Sequence, residues 1–264
     1  MAVAASVQEV LAQLAHAARR RAAGWWGLVC LAAALLDAVL RPSTYRAENR
    51  RLLAQHIVQD ATPMLAWFTV LTTLISLIVI RIVLVTAVSY GLTRYALEMV
   101  VRVLVLELIP LAAALFAALR CTVPNAAEVA ALRSQAPWQA GVLGDALRHE
   151  VLPRVASGVF CALLLAAMSC AVTLVVAYLS VYGFTASGLA AYTRTVGHVF
   201  NPAVALILGL KIVFFSLAVA LVPMAAVLDA PHRGRRPSAE LAGLVRMFLV
   251  ILLIEAASLV GNYY

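Results

Sequence analysis

Residues 24–40 read GWWGLVCLAAALLDAVL, and the placement of this run decides the topology of the whole chain. It is apolar but short, and it holds Asp37. Arginines flank it on both sides, with Arg19, Arg20 and Arg21 before it and Arg41 after it. A bilayer core of about 30 Å needs about 20 apolar residues at about 1.5 Å each. Five later runs meet that length, near 64–90, 99–119, 151–182, 199–228 and 241–260, the last despite Arg246 and Glu255. Further arginines gather at 41–51 (Arg41, Arg46, Arg50, Arg51), at 120–154 (Arg120, Arg133, Arg148, Arg154) and at 233–236 (Arg233, Arg235, Arg236). Basic residues concentrate on the cytoplasmic side of membrane proteins. Every cluster falls on one side if the five later runs cross and 24–40 does not. A crossing at 24–40 would split its flanking arginines between the two sides. The run is therefore expected as an interfacial helix, with Trp25 and Trp26 at headgroup level. The N-terminus is then cytoplasmic and Tyr264 lies on the far side. Residues 6–22 read as an amphipathic stretch in the cytosol or on the membrane surface.

Composition points the same way. Of 264 residues, 64% are hydrophobic and 12% charged, and the mean hydropathy is +0.98. Soluble domains are about 45–50% apolar and about 25% charged. A chain this apolar cannot cover a water-facing surface, which excludes a soluble enzyme, a disordered tail and a collagen-like fibre. The net charge of +8 is read as the basic face of a membrane protein rather than as a nucleic-acid footprint. No cleavable signal peptide is evident, because the arginines at 19–21 follow the first helix-like stretch instead of preceding it. Cys30, Cys121, Cys161 and Cys170 form no metal or redox spacing, and Cys161 and Cys170 read as small hydrophobes inside an apolar run. The expectation is an all-α polytopic protein with five transmembrane helices plus an N-terminal interfacial helix. Residues 1–62 carry the amphipathic and interfacial helices, and residues 63–264 form the five-span domain with a polar cytoplasmic segment at about 121–150.

Ionisable residues inside spans are costly and mark either pairing or function. Arg81, Glu107, Lys211, Arg246 and Glu255 stand out. In an antiparallel hairpin Arg81 and Glu107 come to similar depth, and so do Lys211 and Glu255. Two ion pairs are expected, either fixing helix packing or forming a polar patch for a charged headgroup. Lys211 is the one lysine in the chain. Thr72 and Ser76, four residues apart, allow close approach of another helix, including one from a second copy. The piece after Pro124, from Asn125 to Arg133, reads as a short helix, which either docks another protein or merely joins two spans. The five histidines are scattered, and HExxH, GxSxG, zinc spacing and a GxxxxGK[ST] loop are absent from the sequence. Catalysis and metal binding are not expected of this chain, and any ATP is bound elsewhere.

The stretch from Leu106 to Arg120, LELIPLAAALFAALR, resembles the RELGPxxTALLxAGR segment of MlaE-type permeases, the membrane subunits of Mla/Mce-type ABC lipid transporters. Glu107, Pro110 and Arg120 fall where that motif has Glu, Pro and Arg, and Ala127-Glu128 matches the Ala-Glu that follows. Asp145-Ala-Leu, Pro153-Arg154, Lys211-Ile-Val-Phe-Phe, Asp229, Arg41-Pro42 and the closing Gly261-Asn262 are similar as well. The chain departs from the family at Leu106, at Ile109, in span one (Thr72 and Ser76 for glycines), and at Cys121-Thr-Val-Pro-Asn125, which replaces a Gly-Ser-Ala segment.

The resemblance implies a permease of the bacterial inner membrane that works as a homodimer. The partners it implies are a cytoplasmic ABC ATPase that binds the ATP and Mg, a periplasmic MCE-domain protein and a small STAS-domain protein. The substrate it implies is phospholipid or a similar lipid, and no nucleic acid is involved. Arg81, Glu107, Lys211, Thr72 and Ser76 are then candidates for lipid binding and translocation, and Arg120, Ala127, Glu128 and Arg133 for coupling to the ATPase. A non-transporting scaffold subunit is the alternative. A secondary transporter is disfavoured, since no internal repeat or matched pair of broken helices is evident.

Overall fold

The computed structural model describes residues 24–40, 47–135, 143–229 and 237–263. The amphipathic stretch at 6–22 and the arginines at 19–21, Arg41, Arg46 and 233–236 lie outside these. Among the described residues all regular structure is helical. That is what hydrocarbon demands, since a helix satisfies its backbone N–H and C=O groups within itself. The elements are α1 (Gly24–Leu40), α2 (Ala47–Ser89), α3 (Tyr95–Gln135), α4 (Leu147–Tyr182), α5 (Leu189–Val199), α6 (Pro202–Asp229) and α7 (Pro237–Tyr263). Helices α2, α3, α4, α6 and α7 are long and apolar enough to cross a membrane, and α1 is not. The expected count of five spans and one shorter apolar helix holds.

Helix α3 sits at the centre. More than half (56%) of its most apolar stretch is buried, against 22% in α2 and in α7, which flank the bundle. The middle of α3 packs on α4 and α6, α2 lies along α4, and α7 lies along α6. Along α2 the buried positions Phe68, Thr72, Ser76 and Ile80 recur every four residues and make one stripe. The threonine Oγ1 of residue 72 donates to Ser169 Oγ at 3.5 Å, and Ser76 Oγ and Thr173 Oγ1 are 3.0 Å apart. The close approach expected at Thr72 and Ser76 is therefore made by α4 of the same chain.

Helix α1 covers one end of the bundle. Leu31, Leu35 and Ala38 share one face and pack on Ala126 and Val129 of α3, Val151 and Val155 of α4, and Met224 of α6. Its other face exposes Trp26, Val29, Leu36 and Leu40. Arg246 of α7 holds the start of α1, donating from Nη1 to Gly24 O at 3.0 Å and lying 5.8 Å from the Trp25 ring. At the opposite end Gly183, with φ +68°, terminates α4, a conformation that suits glycine. Tyr192 seats α5 there by donating to Leu174 O at 2.7 Å. Burial, with Tyr182 nearby, pushes this phenol up to about 12, so it remains a donor at neutral pH.

One expectation is corrected. The sequence predicts a polar connection at 121–150 carrying a short helix from Asn125 to Arg133, but α3 continues unbroken through Pro124 to Gln135. Residues 136–142 lie outside the described residues. The sequence explains the continuity. Three stretches are wound as π-helix, Val101–Leu108, Ala118–Thr122 and Leu147–Val151, and each ends two residues before a proline (Pro110, Pro124, Pro153). Proline has no N–H and its ring crowds the carbonyl four residues back. A widened turn shifts the hydrogen-bond register so that the helix passes the proline instead of stopping.

A tight seam lies where α3 meets α4. A Cβ added at Gly158 would come within 2.6 Å of Thr122 Cγ2, itself buried. Gly158→Ala is expected to destabilise the protein by about 1–3 kcal/mol through overpacking. Thermal unfolding in detergent checks this, with Gly209→Ala as comparator because its Cβ would meet nothing within 4 Å. Equal melting temperatures for the two variants would contradict the packing described.

Candidate functional site

The site begins with a carbonyl. In a regular α-helix the N–H of residue 110 would bond Leu106 O, and Pro110 has none to offer. The Leu106 carbonyl lies in the π-wound part of α3, and Lys211 Nζ of α6 donates to it at 3.0 Å. The same ammonium bonds Glu107 Oε2 and lies 2.9 Å from Glu255 Oε2 of α7. Asn262, near the end of α7, donates from Nδ2 to Glu107 Oε1 at 3.2 Å. One turn beyond Lys211, the Phe215 ring closes the inner side, its centroid 5.8 Å from Nζ. Three helices thus meet on one lysine. Two carboxylates share one ammonium, so the three side chains carry a net charge of −1 when all are ionised.

The expected Lys211–Glu255 pair is present, while the expected Arg81–Glu107 pair is replaced. Arg81 follows Ile80, the innermost residue of the α2 stripe, and the next helical position turns about 100° away from the core. Arg81 is exposed on the outer face of α2, between Ile78 and Ile82. Among the described residues that face is exposed, whereas Lys211 faces Glu107 directly from α6. Thr72 and Ser76 are buried against α4, and their hydroxyls are used within the chain.

A second polar node joins α2, α3 and α4 nearer to α1. Asp60 Oδ2 accepts from Ser157 Oγ at 2.5 Å, from Asn125 Nδ2 at 2.9 Å and from Cys121 Sγ at 3.5 Å. Cys121 and Asn125 belong to the segment where the sequence departs from the family motif. Sequence reasoning missed Asp60, which precedes the apolar run taken as span one. Its signal was a lone acid in a helix otherwise continuous from Ala47 to Ser89.

The last turns of α3 hold the residues assigned to coupling. Arg133 Nη1 donates to Val227 O at 2.8 Å and Leu228 O at 2.7 Å, so it caps the C-terminus of α6, where a cation is favoured. Arg154 pairs with Glu150 at 2.7 Å and with Glu128 at 3.5 Å. Arg120 and Glu128 are exposed, and Ala127 is half-buried. The four residues lie on the same continuous helix as Glu107, about 30 Å along it at Glu128. Among the described residues no group of three or more His, Cys, Asp or Glu side chains has the geometry to hold a metal ion.

Five helices long and apolar enough to cross a membrane thus surround a buried charged cluster, and one of them, α3, runs on to the end that α1 covers. The family model described as Permease MlaE matches residues 53–260, and the chain belongs to that family. It is the membrane permease subunit of a lipid transporter of the ABC class. The comparison with curated proteins gave no match.

Removing the ammonium alone leaves two carboxylates facing each other in a buried site. Lys211→Met is expected to destabilise the protein by about 3–5 kcal/mol, whereas Arg81→Ala, on an outer face, should change stability by no more than about 0.5 kcal/mol. Denaturant titration of the purified protein distinguishes this from the Arg81–Glu107 pairing, under which Arg81→Ala would be the damaging change.

Proposed function

We propose that this chain forms a homodimer in the bacterial inner membrane and moves phospholipid or a similar lipid between that membrane and a periplasmic MCE-domain partner. A cytoplasmic ABC ATPase, with its ATP and Mg, drives the movement, and a small STAS-domain protein completes the assembly. The end covered by α1 is the cytoplasmic one, and the last turns of α7 around Asn262 lie on the periplasmic side. The observation that carries this reading is the continuity of α3. A single helix bears Glu107 of the charged cluster near one end of the membrane and Arg120, Ala127, Glu128 and Arg133 at the other. A push on its projecting turns moves the cluster as a rigid body, the kind of transmission that a packed bundle permits. Arg133 carries the same push to α6 through the Val227 and Leu228 carbonyls, and Asn125 carries it to α2 through Asp60.

In this reading the outer face of α2, with Trp67, Leu74, Ile78, Ile82 and exposed Arg81, lines the space between two copies, where lipid chains and a headgroup are held. Thr72 and Ser76 fix that face to α4 from behind. A scaffold role without transport is the competing reading, and the deep burial of Lys211 is the observation that favours it.

Two experiments separate these readings. Glu128→Lys reverses the charge on the projecting turns and should leave basal ATP hydrolysis by the purified complex intact while abolishing its link to lipid transfer. Unaltered transfer in that variant would overturn the coupling assignment. Arg81→Ala should lower the lipid retained on purification several-fold without lowering the melting temperature. Unchanged lipid content, measured by mass spectrometry, would favour the scaffold.

A further inference from the structure

The acids of the membrane-spanning stretches are already engaged. Glu107 and Glu255 share Lys211, and Glu98 lies 3.1 Å from Arg102, one turn along α3. Arg246 is held by the Gly24 carbonyl and the Trp25 ring. Arg81 is left over. It is exposed, and among the described residues its guanidinium makes no hydrogen bond, ion pair or ring contact. It is also the one charged residue from Ala61 to Ser89 of α2. A charge at such a position is costly unless an anion meets it, and the described residues supply none.

The place is open and its surroundings are apolar. Arg81 lies about 12 Å along α2 from the helix end at Ser89. Val85 and Val88, on the same face, separate it from that end and are exposed. Leu74, Leu77 and Ile78 continue the exposed face on the other side, down to Trp67, about 21 Å from Arg81 along the axis. One leaflet of a hydrocarbon core about 30 Å thick is about 15 Å deep, so this strip is long enough for an acyl chain. A molecule that lies along it brings apolar chains to the leucines and an anion to the arginine, which describes a lipid with phosphate in its head.

The electrostatics then select among lipids. The guanidinium fork matches two phosphate oxygens, and one diester phosphate balances its single charge. In a zwitterionic headgroup the phosphate carries its own cation a short linker away. That cation finds no acid on this face of α2, and Glu98 of α3 is occupied by Arg102. We propose that Arg81 seats the phosphate of a lipid whose headgroup is net negative, so that the lipid handled is of the anionic phospholipid class. The inference rests on the lipid-permease reading and narrows it.

The test uses the full chain, with whatever subunits co-purify, in nanodiscs of equal parts phosphatidylethanolamine, phosphatidylcholine and phosphatidylglycerol. Retained lipid is counted by native mass spectrometry. The wild type should retain phosphatidylglycerol several-fold over the other two. Arg81→Gln should lower the retained lipid and erase that excess, and Arg81→Lys, a charge without the fork, should keep part of it. Excess inorganic phosphate should leave the wild-type excess in place. Equal retention of the three lipids by the wild type, or displacement of the excess by inorganic phosphate, would each overturn the assignment. Loss of a co-purifying subunit from Arg81→Gln, with its lipid unchanged, would give the arginine to a protein carboxylate instead. Amount and composition are separate readouts. An undiminished amount of lipid in Arg81→Gln would overturn the lipid-permease reading of this face, whereas a diminished amount that keeps its phosphatidylglycerol excess overturns the headgroup class alone.

Discussion

A single ammonium, that of Lys211, sets the register of the central helices. It reaches Leu106 O and Glu107 on α3 and Glu255 on α7 from its own place on α6. A charge out of water is tolerated only when it is paired and its hydrogen-bonding positions are filled. Sliding any of the three helices by one residue would turn a partner away and leave a charge stranded in the bundle. The apolar contacts around it, such as Phe215, Val219, Met247 and Ile251, tolerate small shifts, but the cluster does not.

Proline is the second constraint, and it acts through backbone bookkeeping. A helix in hydrocarbon cannot leave N–H and C=O groups unsatisfied, yet α3 carries Pro110 and Pro124, α4 carries Pro153, and α2 and α6 carry Pro63 and Pro223. The widened turns before Pro110, Pro124 and Pro153 resolve the conflict locally. The Leu106 carbonyl opposite Pro110 becomes a ligand for Lys211, so the helix irregularity and the charged cluster are one feature. The same device at Pro124 keeps α3 in one piece, joining the projecting turns to the membrane interior. Arg133 and Asp60 then extend that rod sideways, to α6 and to α2.

Much of this was legible from residue types. Apolar run lengths and one-sided arginines located the five spans and separated α1 from them. The charges at 107, 211 and 255 were recognisable as a costly set needing partners. The pairing itself was only half legible. Depth along the membrane is readable from position in a span, and it matched Lys211 with Glu255. It also matched Arg81 with Glu107, which the bundle does not do, because facing depends on which helices are neighbours. Asp60 escaped notice for a related reason. Its partners Cys121, Asn125 and Ser157 are far away in sequence and are unremarkable residue types until three helices bring them together.

The sequence by itself determined that the chain is a five-span helical membrane protein with one short helix at an end, and the order Glu–Pro–Arg–Lys along it carried the family. Bilayer thickness and the cost of charge in hydrocarbon are one-dimensional constraints, and a one-dimensional string can express them. Only the tertiary structure decided that α2 packs on α4, that Arg81 faces outward, and that Lys211 is shared between two acids. It also decided that α3 passes Pro124 without stopping. Those outcomes depend on the rotation of each helix about its axis and on the competition among neighbours for one buried partner, which take effect only when all the helices are in place.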